Sequence, residues 1–487
     1  MSTGLLMLLT LAFYFLLLLF ISRKSSSSHD NNAFFRANRR SPWWMVAFGM
    51  IGASISGVSF ISVPGWVGAT QMTYLQMCAG FFFGYVAVAF LLLPLYYRLQ
   101  LTSIYTYLGE RFGENTHRTG ALFFLLSKLT GAAARLYLVV LVLQQFIAEP
   151  LGIPYPLTAL ITLLLIWLYT RSSGIKTIVR TDALQTLCML LALGGILWAV
   201  ISRLGLDLHG VLATVSQSPL SRIFAWEGTQ SFWRQFFSGI VIVIVMTGLD
   251  QDMMQKNLTC KNLREAQKNM CSYGLCFLPV NLIFLVLGIL LFTFCAQQGI
   301  AIPEQTDSLL PMLVSNGSLG NIVIFPFTIG IVAAAFSSAD SAITALTTSC
   351  CIDLIGVERH NWEKSRQERT RKIVHILMSL TFFAAILLFR AINSTNVINA
   401  IYVMASYTYG PLLGLYAFGL FTRRGVRDRL VPWVCIASPI ICGLLDHYAP
   451  LLWDYKFGYE LLMLNGLLTF AGLLLCQTHK AARLSTT

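Results

Sequence analysis

An all-α fold crossing a membrane many times is predicted by three features: how apolar the chain is, how long its apolar runs are, and where its charges fall. Mean hydropathy is +0.69, hydrophobic residues make up 56% of the 487 residues, and charged residues only 11%. A water-soluble domain needs more charge than that to solvate its surface. The apolar runs are about 17–25 residues long, the length a helix needs to cross about 30 Å of hydrocarbon. When alternate connections are compared, 27 of the 34 Lys and Arg fall on one side. That side is cytoplasmic by the positive-inside rule. The net charge of +13 is thus a signal of topology, and nucleic-acid binding is set aside.

Thirteen spans are expected, at approximately 3–21, 43–68, 74–97, 119–148, 154–170, 180–202, 230–249, 270–297, 318–354, 373–391, 397–421, 430–446 and 459–476. The first, GLLMLLTLAFYFLLLLF, has no basic residue before it, Arg23 and Lys24 after it, and no small-x-small cleavage site, so it reads as a retained helix. An odd number of spans with a basic cytoplasmic side puts the N-terminus outside and the C-terminus in the cytoplasm. SSSSHDNN is a polar bend, and LTSIYTYLGERFG (101–113) reads as an amphipathic helix lying on the cytoplasmic face. No connection is long enough for a soluble domain. The eleven cysteines are scattered through apolar runs without metal spacing and read as small packing residues. An enzyme is not expected. His117, His360 and His479 fall in loops or the tail, and no HExxH or GxSxG occurs.

Most spans are plain Leu/Ile/Val/Phe cylinders, and a few are not. Span two, WWMVAFGMIGASISGVSFISVPGWVGA, mixes Gly49, Gly52, Gly57, Gly65, Gly68 and Pro64 with Ser54, Ser56, Ser59 and Ser62. Glycine weakens a helix and proline removes a donor, so a broken helix with freed carbonyls is expected; close helix packing is the simpler reading. Span nine holds AAAFSSADSAITALTTS (333–349), with Ser337, Ser341, Thr344 and Thr348 on one stripe and Asp340 beside it. An acid inside a membrane is costly and marks a functional site by default. Span six adds Asp182, which could instead pair with Arg180 or Lys176 near the boundary. Hydroxyls, carbonyls and carboxylates are hard oxygen ligands, suited to a small hard cation such as sodium. Arg135, deep in span four after a run of alanines, could meet an anionic ligand or pair with Asp182, Asp340 or Glu149.

These residues resemble the sodium:solute symporter family of bacterial proline, galactose and sialic acid carriers. The resemblance runs from span two to span eleven. It rests on the GxSxSGVSF segment, YTYLGERFG, RTDALQ, GLDQDMMQKNLTCKNLREAQ (248–267), AAFSSADSAITALTT and YGPLLGLYAFGLFTRR (409–424). The resemblance implies a leucine-transporter-type core of two inverted five-helix repeats over residues 43–424. The first helix and its loop (1–42) precede that core, and two peripheral helices with a short tail (425–487) follow it. It implies a sodium site made by the carbonyls of Gly52, Ile55 and Ala334 and the hydroxyls of Ser337 and Ser338. A second cation or proton site would use Asp182, Asp340 and Ser341, where Asp340 replaces a hydroxyl of the family pattern. Substrate contacts would come from Ser56, Ser59, Arg135 and Phe237.

The expected function is sodium-coupled symport of a small organic solute by alternating access, in a bacterial inner membrane, by a monomer in lipid. Arg135, together with Val58 and Ser59 where sugar carriers show Gln and Glu, leans the solute towards an organic anion. A proton-coupled carrier on the same fold, or a sugar or amino-acid carrier, is the alternative.

Overall fold

The computed structural model describes residues 3–25, 39–170, 174–357, 359–360, 362–392 and 397–481. All but the first residue of the SSSSHDNN bend, and the last six residues of the tail, lie outside that set. Among the described residues, seven helices are long and apolar enough to cross a membrane singly. Two more spans are bent pairs: Trp43–Ser54 with Gly57–Thr70, at 55°, and Phe232–Gly248 with Gln251–Asn257, at 70°. Four shorter apolar helices, Leu8–Phe20, Tyr155–Thr170, Gly410–Phe421 and Leu461–Leu475, coincide with the other expected spans. The chain is not wholly helical: Arg424–Val426 and Gln477–Ala481 pair antiparallel beside the last span.

Burial follows composition. The helix rich in Ala, Ser and Thr, Ile324–Ser349, continues to Ile355 and is the most enclosed long span, with 78% of its apolar window buried. The Leu- and Phe-rich Lys364–Ile392 and the Val431–Trp453 helix bury only 22% and turn apolar side chains outward, as lipid requires. Small side chains let the central helix approach its neighbours closely. It packs on Gly174–Leu204, Glu114–Leu143, Thr3–Ser25 and both halves of the 43–70 span. A Cβ on Gly330 would come within 2.8 Å of Ala192 Cβ and 2.9 Å of the Phe60 ring.

The 43–70 span breaks at Ile55–Ser56, not at Pro64, which sits well inside Gly57–Thr70. Its glycines also serve packing. A Cβ on Gly52 would overlap Thr186 Oγ1 at 2.0 Å, and one on Gly57 would lie 2.4 Å from Val139 Cγ2. Break and close packing therefore coexist.

Two expectations about residues 101–117 are corrected. Residues 101–113 form only a short helix, Thr106–Arg111, and Ile104, Tyr105 and Tyr107 are fully buried. Tyr105 Oη donates to the Leu249 carbonyl at 2.7 Å, and Tyr416 Oη donates to the Ile104 carbonyl at 2.8 Å. The segment is a plug between helices; its tyrosines make it too rich in buried donors to float on the lipid face. His117 is not a loop residue either. It is buried in the first turn of Glu114–Leu143, with Nε2 2.8 Å from Asp353 Oδ1. Asp353 Oδ2 accepts from Ser103 at 2.8 Å and Ser349 at 2.6 Å, so one carboxylate ties three segments together.

Candidate functional site

At the first break the backbone hydrogen-bond ladder changes partners. Ser56 N–H donates to the Ser54 carbonyl, and Ser59 N–H to the Ser56 carbonyl. The carbonyls of Gly52 and Ile55 thereby lose the donors four residues on that a continuous helix would give them. They are the two carbonyls of this span expected as sodium ligands. Across from them runs the central helix, with Ala334, Ser337, Ser338, Asp340 and Ser341 all buried. Among the described residues, Ser338 Oγ, Ser341 Oγ, Thr344 Oγ1 and Asp340 Oδ1 are enclosed without a hydrogen-bond partner. Buried polar atoms are rarely left so in a folded protein, and a cluster of orphaned oxygens is the chemistry of a hard-cation site.

The two acids are held differently from expectation. Asp182 is fully buried, and both of its carboxylate oxygens are met by side chains of other helices. Its Oδ2 lies 2.9 Å from Lys256 Nζ, and its Oδ1 accepts from Ser337 Oγ at 2.7 Å. Asp340 does not meet Arg135; its Oδ2 accepts from Tyr169 Oη at 2.8 Å.

Lys256 belongs to a buried charge network created by the second break. The Asp250 side chain caps the helix Gln251–Asn257, accepting from Asp252 N–H at 2.9 Å and Met253 N–H at 3.3 Å. Lys128 lies 3.2 Å from Asp250 and 2.7 Å from Asp252, and Lys256 lies 3.5 Å from Asp252. Tyr409 Oη donates to Asp250 at 2.7 Å. Every carboxylate here has a cation or a donor, as burial demands. Sequence reasoning misses Lys256. The signal was the D-x-D-x-x-x-K pattern straight after an apolar run, which sets Asp252 and Lys256 on one helix face.

Beside this network is a cavity of about 90 Å³ whose walls come from both breaks and from spans three, four, eight and eleven. Arg135 lines it, half-buried, together with Lys128 and Asp250. Ser54, next to the break, also lines it and bonds to the Tyr273 hydroxyl. Ser56 and Ser59 are buried near the break but are not in its wall. Phe237 is 48% exposed on the outer side of its helix, stacked on Trp233. The residues of that span that reach the cavity are Ile242, Val243, Met246 and Thr247, one to three turns further on. Phe237 is therefore not part of this cavity's wall.

Three comparisons bear on this arrangement. A sodium/sialic acid symporter of Aliivibrio fischeri is 26% identical over 86% of this chain and 81% of its own length. One of Proteus mirabilis is 24% identical over 87% and 86%. A substrate-bound, outward-open Na+-coupled sialic acid symporter with a novel Na+ site superposes with a TM-score of 0.83, at 19% identity, over 97% of this chain and 98% of that one. The fold is thus that of a sodium-coupled transporter. The model of the sodium:solute symporter family matches residues 34–428. A chain matched over most of its length, with a broken helix facing buried hydroxyls, belongs to the sodium:solute symporter family.

Proposed function

We propose that the chain imports a small organic anion together with sodium by alternating access. Arg135 carries this reading: a guanidinium inside the membrane, on the wall of a cavity, for which no hydrogen bond or ion pair is found among the described residues. A charge so placed is costly unless a ligand uses it. In this reading sodium sits between the carbonyls of Gly52, Ile55 and Ala334 and the hydroxyls of Ser337 and Ser338. The orphaned Ser338 Oγ and the displaced ladder at the break support that assignment.

Sodium entering from outside joins the 43–70 span to the central helix and favours the outward-open cavity. Sodium and solute then tighten each other's binding, because linkage is reciprocal. Rocking inward separates the two elements and releases sodium to the cytoplasm, with the solute following. The ten-helix inverted-repeat core is taken as residues 43–424, flanked by residues 1–42 and 425–487. The two bent spans each open one repeat. Thirteen crossings, an outside N-terminus, a cytoplasmic C-terminus and a monomer in the bacterial inner membrane complete the proposal.

A second ion site at Asp340 and Ser341, beside Asp182, is favoured by the unpartnered Asp340 Oδ1 and Ser341 Oγ. Asp182 is already shared by Lys256 and Ser337, so Asp340 is the acid left to hold it, as a sodium ligand or as a proton carrier. An inside-negative potential adds about 2.3 kcal/mol per net charge per 100 mV, which one sodium with one monovalent anion would forgo and two ions would use.

The test is a thermal-shift screen of organic acids, sugars and amino acids on purified protein, in sodium and again in potassium. An organic acid that stabilises only in sodium is expected. A sugar or neutral amino acid doing so, or a hit equal in both salts, overturns the reading.

A further inference from the structure

The polar inventory of the cavity narrows the solute further than its charge does. Eleven of the side chains on its wall carry polar groups, and nine have partners within the protein. Tyr402 bonds to Tyr74 at 3.0 Å, and Tyr85 to Tyr273 at 2.8 Å, with Ser54 joining that pair. Tyr409 and Lys128 are taken up by Asp250, whose own oxygens are thereby filled. Ser127 and Thr130 bond back to the carbonyls of Phe123 and Leu126 in their own helix. Only Arg135 and Thr247, among the described residues, have no such partner. Thr247 lies in the π-helical turn Ile244–Gly248 just before the second break, a kind of distortion frequent at functional sites. The rest of the wall is apolar, with Phe81, Phe277, Met246, Met253, Ile401 and Met404.

We propose that the solute is a compact monocarboxylate with an apolar body and at most one further polar group, and that polyhydroxylated sugar acids are excluded. This rests on the reading of the cavity as the solute site. The guanidinium fork takes the carboxylate in a bidentate pair. The Thr247 hydroxyl serves one more polar atom, and the Phe, Met and Ile side chains cover the carbon body. A sugar acid would bring several hydroxyl oxygens to a wall whose donors, Arg135 and Thr247 aside, are already engaged. Each oxygen buried without a donor weakens binding by about tenfold. Size points the same way: at about 90 Å³ the cavity is below the ~150 Å³ of an apolar cavity that takes a benzene ring. Met side chains leave some freedom of shape, since they repack easily.

The experiment is sodium-driven uptake by the full chain in proteoliposomes, with butyrate, propionate, butyramide and sialic acid as probes. Butyrate is expected to exceed sialic acid by at least tenfold, and butyramide neither to enter nor to compete. Arg135→Gln is expected to abolish butyrate uptake while the protein still unfolds at the native temperature, because no internal partner is orphaned. Uptake of sialic acid equal to or above butyrate overturns this inference and leaves sodium-coupled anion import standing. Butyramide entering as well as butyrate overturns both. Sodium-independent uptake of butyrate overturns the coupling alone. Absence of uptake for both monocarboxylates overturns the proposed solute class.

Discussion

Removing the Lys256 ammonium tests the buried charge network on which the site is built. In Lys256→Met the side chain keeps its length and loses its charge. Asp252 retains Lys128 at 2.7 Å, but Asp182, with about 1% of its side chain exposed, is left with neutral donors such as the Ser337 hydroxyl and no cation among the described residues. Breaking a buried pair from one side leaves an uncompensated charge and costs about 3–5 kcal/mol. At 1.4 kcal/mol per tenfold, that is a loss of roughly 100-fold or more in the folded-to-unfolded ratio. Neutralising the orphan should reverse most of it, so Lys256→Met with Asp182→Asn should be markedly more stable than Lys256→Met alone. The assay is unfolding of the detergent-purified protein, by temperature and by denaturant, for the native chain, both single variants and the double. A Lys256→Met protein as stable as the native one, or a double variant no better than it, would show that the two side chains are not a buried pair.

Ser338→Ala removes an oxygen that serves no other group among the described residues. It should raise the sodium concentration for half-maximal uptake by about tenfold, the loss of about 1.4 kcal/mol of cation binding, with thermal stability in potassium unchanged. Gly57→Val places a side chain where a Cβ already comes 2.4 Å from Val139 Cγ2. Overpacking there should cost about 1–3 kcal/mol, read by the same unfolding assay, with Gly57→Ala milder. Asp340→Asn preserves the acceptor for Tyr169 and removes one negative charge. If Asp340 carries the second ion, the charge moved per solute, measured by electrophysiology alongside tracer flux, should fall by one; an unchanged ratio would assign Asp340 to structure.

The long helices were legible because hydropathy and the charges at their ends decide where they lie. Chemistry set by local sequence was legible as well. The Gly- and Ser-rich span is broken, its freed carbonyls include those of Gly52 and Ile55, and the Ser/Thr helix is the enclosed one. Pairings between distant segments were not. Asp182 was given neighbours in its own span, whereas its cation comes from Lys256, 74 residues on, because a bend no hydropathy profile registers swings residues 251–257 under the cavity. Phe237 lies away from the cavity for a related reason. Position along a helix was transferable, but which face looks inward depends on packing. His117, placed in a loop by its distance from the apolar run, is buried because Asp353 meets it from the other end of the central helix.

The central claim is that sodium bridges the broken 43–70 span and the serines of the central helix. Unfolding temperature titrated with sodium, potassium and choline chloride tests it without knowledge of the solute. A cation that binds only the folded protein stabilises it by about 2.7 kcal/mol at 100 times its dissociation constant. Sodium alone should raise the unfolding temperature in a saturable way, and Ser337→Ala combined with Ser338→Ala should remove the effect. Equal stabilisation by potassium, or a sodium effect that survives both substitutions, would contradict the account.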